Sequence, residues 1–322
     1  MKIQSRVGLL PVLAVLAGLL VVLSSCGQAQ QKSYVIGIVN PNKGSVEMTR
    51  GFIEGLAEYG YKEGENTTYL LHEDSFELEG AVNNMVARDV DLIFSVTTPA
   101  TKKAKAAAEK KGIPVVFAMQ DPVASGLTKS LSRPNGNLTG IQIRGSVPKG
   151  LHWLLTTSPG IKNIYVPIKY DTKAAKQSLT DLQEAAESFG VKLVLVEIND
   201  QVELESSLAA IPDDVDAIFI ICSIFVHSNV KRLVGEAVKR KLPIGSGTAQ
   251  CSKGVTISYG MIAHSTGKQA SRLAHLVLQG TPAGDVPSEM SDFYLGVNLK
   301  TARASGVEVP SEVLAQADFI VR

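Results

Sequence analysis

The stretch Val35-Ile36-Gly37-Ile38-Val39 decides the fold class of this chain, because it is short, apolar and rich in β-branched residues. Such a run predicts a strand that is buried on both faces, as in the parallel sheets of α/β proteins. Phe52 and Leu56 follow it at helical spacing, and Gly60 ends that helix. Strand-like and helix-like segments then alternate as far as a fourth strand at 114–118, which predicts βαβ units and a parallel sheet.

The same alternation starts again in the second half of the chain. A strand is predicted at 163–168 and a helix at 173–189, and further segments of both kinds follow up to a helix at 264–278. Two Rossmann-like lobes with parallel sheets, joined by a hinge, account for this order. Glycines and a proline between 140 and 151 indicate where the first lobe ends. We predict lobe 1 at 34–145, lobe 2 at 146–260, and a returning helix with a C-terminal segment that crosses between the lobes at 261–322.

The N-terminal residues have the order of a secretory signal peptide: Lys2 and Arg6, then an apolar run over 7–23, then Ser24-Ser25-Cys26. The small residues directly before the cysteine resemble the lipobox of bacterial lipoproteins, which implies acylation of Cys26. Residues 1–25 are then a lipoprotein signal peptide, and 26–33 a tether that holds the protein at the cell membrane, facing the periplasm or the extracellular side. An uncleaved signal anchor is the alternative, because the apolar run is almost long enough to span a bilayer.

The charge balance of the chain argues against a polyanionic partner. Lysine and arginine number 32 against 31 aspartate and glutamate residues, for a formal net charge of +1, and both signs are scattered. We therefore expect no nucleic-acid partner. Cys222 and Cys251 are the two cysteines that follow Cys26. An extracytoplasmic location leaves open both a disulfide between them and two inert buried thiols.

The sequence contains no motif that predicts catalysis. It has neither a GxSxG nor an HExxH pattern, nor a glycine-rich phosphate loop. The five histidines lack metal-ligand spacing relative to one another and to the cysteines. We expect no catalytic residue, no cofactor and no metal, and hence a protein that is not an enzyme. An exported hydrolase, with Cys222 or a serine paired with a distant histidine, is the alternative.

A binding site is predicted at the carboxyl ends of the strands, where open parallel sheets bind their ligands. Thr97 and Thr98 follow the third strand and open a helix, so their hydroxyl and backbone N–H groups can bind a carboxylate. Asp121 follows the fourth strand and can accept from an ammonium or hydroxyl group. N-capping by the threonines and a turn role for the aspartate are the alternatives. The other candidate ligand-binding residues are Ser45, Tyr170, Ser223, Ser246, Thr248 and Tyr259, with Phe76 and Phe225 as further candidate apolar walls.

Several short segments resemble one family of transport proteins. They are Thr97-Thr98-Pro99-Ala100, Asp121-Pro122-Val123, Asn137-Leu138-Thr139-Gly140, 113–118 and 297–299. Together they resemble the ABC-transporter substrate-binding lipoproteins of the tryptophan/tyrosine-binding type. The resemblance implies a type I periplasmic-binding-protein fold, in which two lobes close over a small organic solute and deliver it to an ABC permease in the membrane. We expect the protein to be a monomer, attached to the membrane through its lipid anchor.

The sequence departs from this family in two loops of the second lobe. Relatives often carry Thr-Asp-Asn where this chain has Cys222-Ser223-Ile224, and Ser-Asp or Ser-Glu where it has Ser246-Gly247-Thr248. A buried ammonium group without a counter-charge costs several kcal/mol, so either Asp121 alone binds it or the solute is not an amino acid. We expect import of an amino acid, an aromatic one among the candidates, or of another small carboxylate. A sensory module that presents the solute to a chemoreceptor or sensor kinase is the alternative.

Overall fold

The computed structural model describes residues 32–75 and 77–322, and these residues form two separate sheets. The strands of the first sheet are β1 (Tyr34–Asn40), β2 (Thr67–Glu73), β3 (Leu92–Val96), β4 (Val115–Gln120), β5 (Leu138–Ile143) and β11 (Glu289–Met290). Those of the second are β6 (Asn163–Ile168), β7 (Lys192–Glu197), β8 (Ala217–Ile220), β9 (Ile244–Ser246), β10 (Ile257–Gly260), β12 (Tyr294–Asn298) and β13 (Phe319–Val321).

Helices connect most of these strands. The first sheet carries α1 (Val46–Glu58), α2 (Leu78–Ala87), α3 (Thr98–Ala108) and α9 (Ala263–Leu278). The second carries α4 (Val147–Thr157), α5 (Lys173–Phe189), α6 (Gln201–Ala209), α7 (Ile224–Ser228), α8 (Val230–Arg240), α10 (Leu299–Ala304) and α11 (Ser311–Gln316). The described part of the chain contains no helix that is both long enough and apolar enough to cross a bilayer.

Both sheets are mostly parallel. The strand order is β11-β5-β4-β3-β1-β2 in the first sheet and β13-β12-β10-β9-β8-β6-β7 in the second. All paired strands of the first sheet run parallel, and in the second sheet β10 and β12 form an antiparallel pair. This arrangement confirms the predicted α/β fold with two Rossmann-like lobes. It also brings the carboxyl ends of the parallel strands of each lobe to one edge of its sheet.

Each sheet is buried on both faces, as the apolar composition of β1 predicts. In the first lobe, Ile36 and Phe94 contribute to the core beneath α1 and α9, whereas Ile93 and Phe117 contribute to the core beneath α2 and α3. The rings of Phe52 on α1 and Phe94 on β3 stack with their centroids 4.0 Å apart. A comparable pair of cores covers the two faces of the second sheet.

The returning helix α9 packs against α1 so closely that glycine is needed at the contact. A Cβ atom on Gly267 would lie 2.1 Å from the carbonyl oxygen of Met48, and one on Gly51 would lie 2.0 Å from that of His264. Real Cβ atoms do not approach backbone oxygens to such distances, so the two helix backbones can touch only where the side chain is a hydrogen atom. The helix that follows the second lobe is therefore part of the first.

Replacement of Gly267 by alanine tests this contact. Gly267→Ala should lower the free energy of unfolding by about 2 kcal/mol, because the added methyl group has to push two helix backbones apart. Gly235→Ala is the matched control, since Gly235 is an exposed position of α8 with no atom within 4 Å of the added Cβ. It should stabilise the protein by roughly 0.5–1 kcal/mol through helix propensity. Urea denaturation of the two variants measures both effects, and equal stabilities would contradict the contact.

The chain passes between the two sheets three times: at 144–146 from β5 to α4, at 261–262 from β10 to α9, and at 291–293 from β11 to β12. These crossings lie side by side. The Ser146 hydroxyl donates to the carbonyl oxygen of Tyr259, 2.8 Å away, and the ring of Tyr259 stacks on Phe293 with centroids 5.7 Å apart. Adjacent crossings are the arrangement that the predicted hinge requires.

Several expectations from the sequence are not decided by the fold. The predicted boundaries at 34–145, 146–260 and 261–322 stay predictions of where the lobes divide. The predicted signal peptide, the lipidation site Cys26 and the candidate wall residue Phe76 lie outside the described residues.

Cys222 and Cys251 are free thiols in the structure. Burial raises the pKa of both thiols, that of Cys251 to about 12, so each is protonated at neutral pH.

Candidate functional site

The candidate site is built from the loops that follow parallel strands in the two sheets. In the first sheet these are the loops after β1, β3 and β4, and in the second those after β6, β8 and β9. Polar side chains are concentrated in these six loops, whereas the strands that precede them are largely apolar. A groove of about 370 Å³ lies at the edge of the first sheet, between α1 and the edge strand β2, and its lining includes Thr49, Ile53, Leu71 and Glu73.

Thr97, after β3, has a strained backbone. Its φ of 84° and ψ of 154° fall in a region that is almost restricted to glycine, and it is a β-branched residue. Neighbouring groups hold it there, because its N–H donates to the carbonyl oxygen of Ala118 at 3.0 Å and its own carbonyl accepts from the Thr101 hydroxyl at 2.8 Å. Such strain costs roughly 1–3 kcal/mol and is characteristic of functional sites.

The Thr97 hydroxyl is buried and has no hydrogen-bond partner among residues 32–75 and 77–322. Although Thr97 occupies the N-cap position of α3, its side chain makes no capping hydrogen bond. The capping alternative raised from the sequence therefore does not describe this hydroxyl. Thr98 begins α3 and is partly buried, and its own hydroxyl is 3.5 Å from the carbonyl oxygen of Gln120. A buried unpaired hydroxyl beside a helix N-terminus is suited to an anionic group.

Asp121, after β4, takes part in a turn. Its φ is 40°, and its Oδ1 atom accepts from the backbone N–H of Ala124 at 3.1 Å. One carboxylate oxygen therefore has the turn role that the sequence left open. The side chain is exposed, and its second oxygen makes no hydrogen bond within the described chain.

The loop after β1 is organised by a residue that the sequence analysis did not single out. Asn40 is fully buried, and its Nδ2 atom donates to the carbonyl oxygen of Ser45 at 2.9 Å and to the Thr49 hydroxyl at 3.0 Å. The predicted site residue Ser45 accepts from the Nδ2 atom of Asn42 at 3.0 Å. An amide at the end of an otherwise apolar strand was the available signal for Asn40.

In the second lobe, Asp171 connects the loop after β6 to the start of α7. Its Oδ2 atom accepts from the Ser223 hydroxyl at 3.0 Å and from the backbone N–H of Phe225 at 2.9 Å. The predicted site residue Ser223 is fully buried, and its hydroxyl also accepts from the N–H of Val226, capping α7. The predicted site residue Tyr170 is 43% exposed, and its neighbour Asp171 was not among the predicted ligand-binding residues.

A second polar network follows β8 and β9. The Ser246 hydroxyl donates to the carbonyl oxygen of Ile220 at 3.1 Å and lies 2.9 Å from the Thr248 hydroxyl. Thr248 in turn contacts the Nε2 atom of His227 at 3.1 Å. Burial, together with the nearby positive charge of Lys253, lowers the pKa of His227 to about 4. The imidazole is therefore neutral at pH 7 and joins this network as an uncharged group.

The structure thus places most of the predicted residues in the loops at the strand ends, but they differ in whether their polar atoms are already hydrogen-bonded. Thr97 and Asp121 retain an unpaired polar atom, whereas Ser223, Ser246 and Thr248 are engaged in hydrogen bonds within the lobe. Tyr259 lies at the crossing, where burial raises the pKa of its hydroxyl. In the described part of the chain, no group of three His, Cys, Asp or Glu side chains could hold a metal ion.

The Thr248–His227 contact is the arrangement closest to the one that the hydrolase alternative requires. A histidine with a pKa of about 4 is a weak general base at neutral pH, because its affinity for the hydroxyl proton is low. The Thr248 hydroxyl is also shared with Ser246. This network is therefore suited to shaping the loops rather than to activating a nucleophile.

Comparisons with known proteins are consistent with a binding site. The chain matches the family model for ABC transporter substrate binding proteins over residues 35–321. It is 27% identical over 261 residues to the tyrosine-binding protein of Clostridioides difficile, covering 79% of this chain and 75% of that relative. Among solved structures, it is similar to the ligand-free, open form of a substrate-binding protein with adhesive properties from Clostridium difficile. The TM-score is 0.74 at 25% identity, with 89% of this chain and 99% of that chain covered.

A second solved structure is similar to the same extent. It is an ABC domain in complex with L-Trp from Streptococcus pneumoniae, with a TM-score of 0.72, 23% identity, and 90% of this chain and 100% of that chain covered. The chain belongs to the family of ABC transporter substrate-binding proteins. This membership confirms the resemblance found in the sequence. Proteins of this family bind small-molecule solutes outside the cytoplasm and work with ABC permeases, and the relatives named here are binding proteins rather than enzymes.

Replacing Thr97 by glycine should release the backbone strain. We expect Thr97→Gly to raise the free energy of unfolding by about 1 kcal/mol, because the strain removed outweighs the added entropy of a glycine in the unfolded chain. Thr98→Gly is the control, since Thr98 lies in the first turn of α3, and it should lower stability by about 0.5 kcal/mol. If chemical denaturation shows both variants equally destabilised, Thr97 is not strained.

The partly buried His227 should make the protein sensitive to acid. Its pKa is lowered on folding, so the unfolded chain binds a proton below pH 6.5 that the folded chain binds only near pH 4. Between pH 7 and pH 5 the wild type should lose roughly 2 kcal/mol of unfolding free energy relative to His227→Gln. His152→Gln, at an exposed position of α4, should keep the wild-type pH dependence. Unfolding curves at several pH values measure the difference, and parallel profiles for wild type and His227→Gln would contradict it.

Proposed function

We propose that this chain is the lipid-anchored, extracytoplasmic solute-binding protein of an ABC importer, and that its solute is an amino acid or another small carboxylate. The solute binds between the two lobes, at the carboxyl ends of the parallel strands. The observation that carries the proposal is the unpaired, buried Thr97 hydroxyl at the N-terminus of α3. The strand-end loops of the second lobe supply the opposite wall.

The chemistry of the Thr97 site favours a carboxylate. The N-terminus of α3 carries a partial positive charge and backbone N–H groups without helical partners. Pro99 stands within the first two positions of the helix, where its missing N–H removes none of the helical hydrogen bonds. A solute carboxylate can accept from the Thr97 hydroxyl and from the helix end together, and that interaction offsets the strain stored in the turn.

Import and anchoring are supported by separate features. Family membership supports a role beside an ABC permease, and the relatives that bind tyrosine and L-Trp favour an amino acid, with aromatic ones foremost. The order of basic, apolar and small residues before Cys26 supports export and acylation. A monomer tethered at Cys26 stays close to the permease while its lobes open and close.

The test of this function is solute binding measured by thermal shift and calorimetry. Wild-type protein should be stabilised by one or more members of a panel of L-amino acids and small carboxylic acids, because a ligand that binds only the folded state raises its stability. The amide derivative of each bound acid should bind at least tenfold more weakly. Thr97→Val, which keeps the β-branched shape but removes the hydroxyl, should also weaken binding at least tenfold.

Thr180→Val is the matched control, because Thr180 is an exposed residue in the middle of α5 whose hydroxyl donates to the carbonyl oxygen of Lys176 in the same helix. It should bind as the wild type does. Absence of any stabilising solute across the panel would contradict the proposed function. Unchanged affinity in folded Thr97→Val would remove this hydroxyl from the site.

A further inference from the structure

The carboxylate of Asp171 is oriented by hydrogen bonds within its own lobe, and one of its two oxygens accepts none of them. Its Oδ2 atom accepts from the Ser223 hydroxyl at 3.0 Å and from the N–H of Phe225 at 2.9 Å. Its Oδ1 atom has no hydrogen-bond partner within residues 32–75 and 77–322, and the residue is exposed. Two donors on one oxygen fix the orientation of the group before any ligand arrives, which lowers the entropy lost on binding.

The negative charge of Asp171 has no cationic partner. In the described part of the chain, no lysine, arginine or histidine nitrogen lies within 4.0 Å of this carboxylate. Two lysines lie two residues away along the chain. Lys169 is engaged elsewhere, because its Nζ atom donates to the carbonyl oxygen of Asn199 and lies 4.8 Å from the centroid of the Phe225 ring. Lys173 is an exposed residue at the start of α5 and forms no ion pair with Asp171. His227 is neutral at pH 7. The loop therefore presents an oriented anion that the protein itself does not neutralise.

The hydroxyl groups of the other predicted polar residues in the second lobe are already hydrogen-bonded within the protein. The Ser223 hydroxyl donates to Asp171, and the Ser246 hydroxyl donates to the carbonyl oxygen of Ile220. The Thr248 hydroxyl is shared between Ser246 and His227. Of the predicted polar side chains and their neighbours in these loops, Asp171 is the one with an oriented and unused acceptor.

We propose that Asp171 binds the ammonium group of the solute, so that the solute is an α-amino acid in its zwitterionic form. The proposal rests on the proposed function, in which the solute carboxylate binds at Thr97. A carboxylate can only accept, so its partner must be a donor, and a cationic donor also neutralises the unpaired charge. This assignment supplies the counter-charge that the second-lobe loops at 222–224 and 246–248 lack.

Asp171 suits this role better than Asp121 because it follows a strand of the second sheet, whereas Thr97 follows a strand of the first. Asp121 follows β4 in the same sheet as Thr97, so a solute bound by that pair would contact one lobe only. A solute held by Thr97 in the first lobe and by Asp171 in the second connects the two sheets. A ligand shifts a conformational equilibrium only through interactions that differ between its states, and a bond between lobes forms only when they close. Asp171 is thus the residue that couples binding to closure.

The experiment compares amino acids with their deaminated analogues by calorimetry on the full mature chain. L-tryptophan and indole-3-propionate, L-tyrosine and 3-(4-hydroxyphenyl)propionate, and L-leucine and 4-methylpentanoate form the first pairs, and the remaining common L-amino acids complete the panel. Only members with an ammonium group should bind wild-type protein. Asp171→Asn should weaken the binding of those members by 30-fold or more, whereas Asp121→Asn should weaken it less than fivefold.

A folding control and one further variant keep the result interpretable. Asn at position 171 can still accept from Ser223 and Phe225, and circular dichroism verifies that the variant is folded. Ser223→Ala should weaken binding by a smaller factor than Asp171→Asn, because it removes one of the two donors that orient the carboxylate. Deaminated acids that bind as well as amino acids, or Asp171→Asn with affinity within threefold of wild type, would overturn the assignment while leaving the proposed function intact. A wild type that binds no member of the panel would overturn both.

Discussion

The backbone contact between α1 and α9 is the constraint on which the two-lobed arrangement depends. Gly51 and Gly267 let the two helices touch, and this contact returns the chain from the second lobe to the first. After that return the chain must cross back again to complete the second sheet with β12 and β13. Three crossings result, and contacts of Ser146 and Phe293 with Tyr259 bring them close together. Helix packing about glycine thus requires the chain to connect the two lobes more than once.

Much of the fold follows from local sequence, and the failures have physical causes. The strands at 34–40 and 163–168 and the helix at 263–278 are predictable, because their apolar residues recur with the right period and glycine ends the segments. The strand β5 was not predicted, since Thr139, Gly140 and Gln142 interrupt its apolar pattern. Its glycine is required by the fold: φ is 155°, and a Cβ there would lie 2.2 Å from the carbonyl oxygen of Phe117. Likewise Pro148 and Gly150 suggest a break in the chain, but the proline stands at the start of α4 and the glycine packs against Gly247.

The strand-end location of the candidate residues was predictable, whereas their hydrogen-bond partners were not. Topology places polar residues at the carboxyl ends of parallel strands, so Thr97, Asp121 and the loops of the second lobe could be named from the sequence. Which of their atoms are already occupied depends on tertiary contacts. Ser223, Ser246 and Thr248 have equivalent hydroxyls in the sequence, yet all three are engaged within the lobe, whereas the unpaired Thr97 hydroxyl is buried. Asp171 was passed over because nothing in its sequence context distinguishes it from a turn aspartate.

The strained backbone at Thr97 and the oriented carboxylate of Asp171 share one property: in each lobe, a polar group is arranged before the solute binds. Such preorganisation lowers the entropy lost on binding, and the stability of the surrounding fold offsets its energetic cost.

The most direct measurement is a crystal structure of the protein with the amino acid that stabilises it most. We predict closed lobes, with a carboxylate oxygen within about 3.2 Å of the Thr97 hydroxyl and the ammonium group beside Asp171. A solute whose carboxylate lies away from Thr97, or which contacts a single lobe, would contradict it.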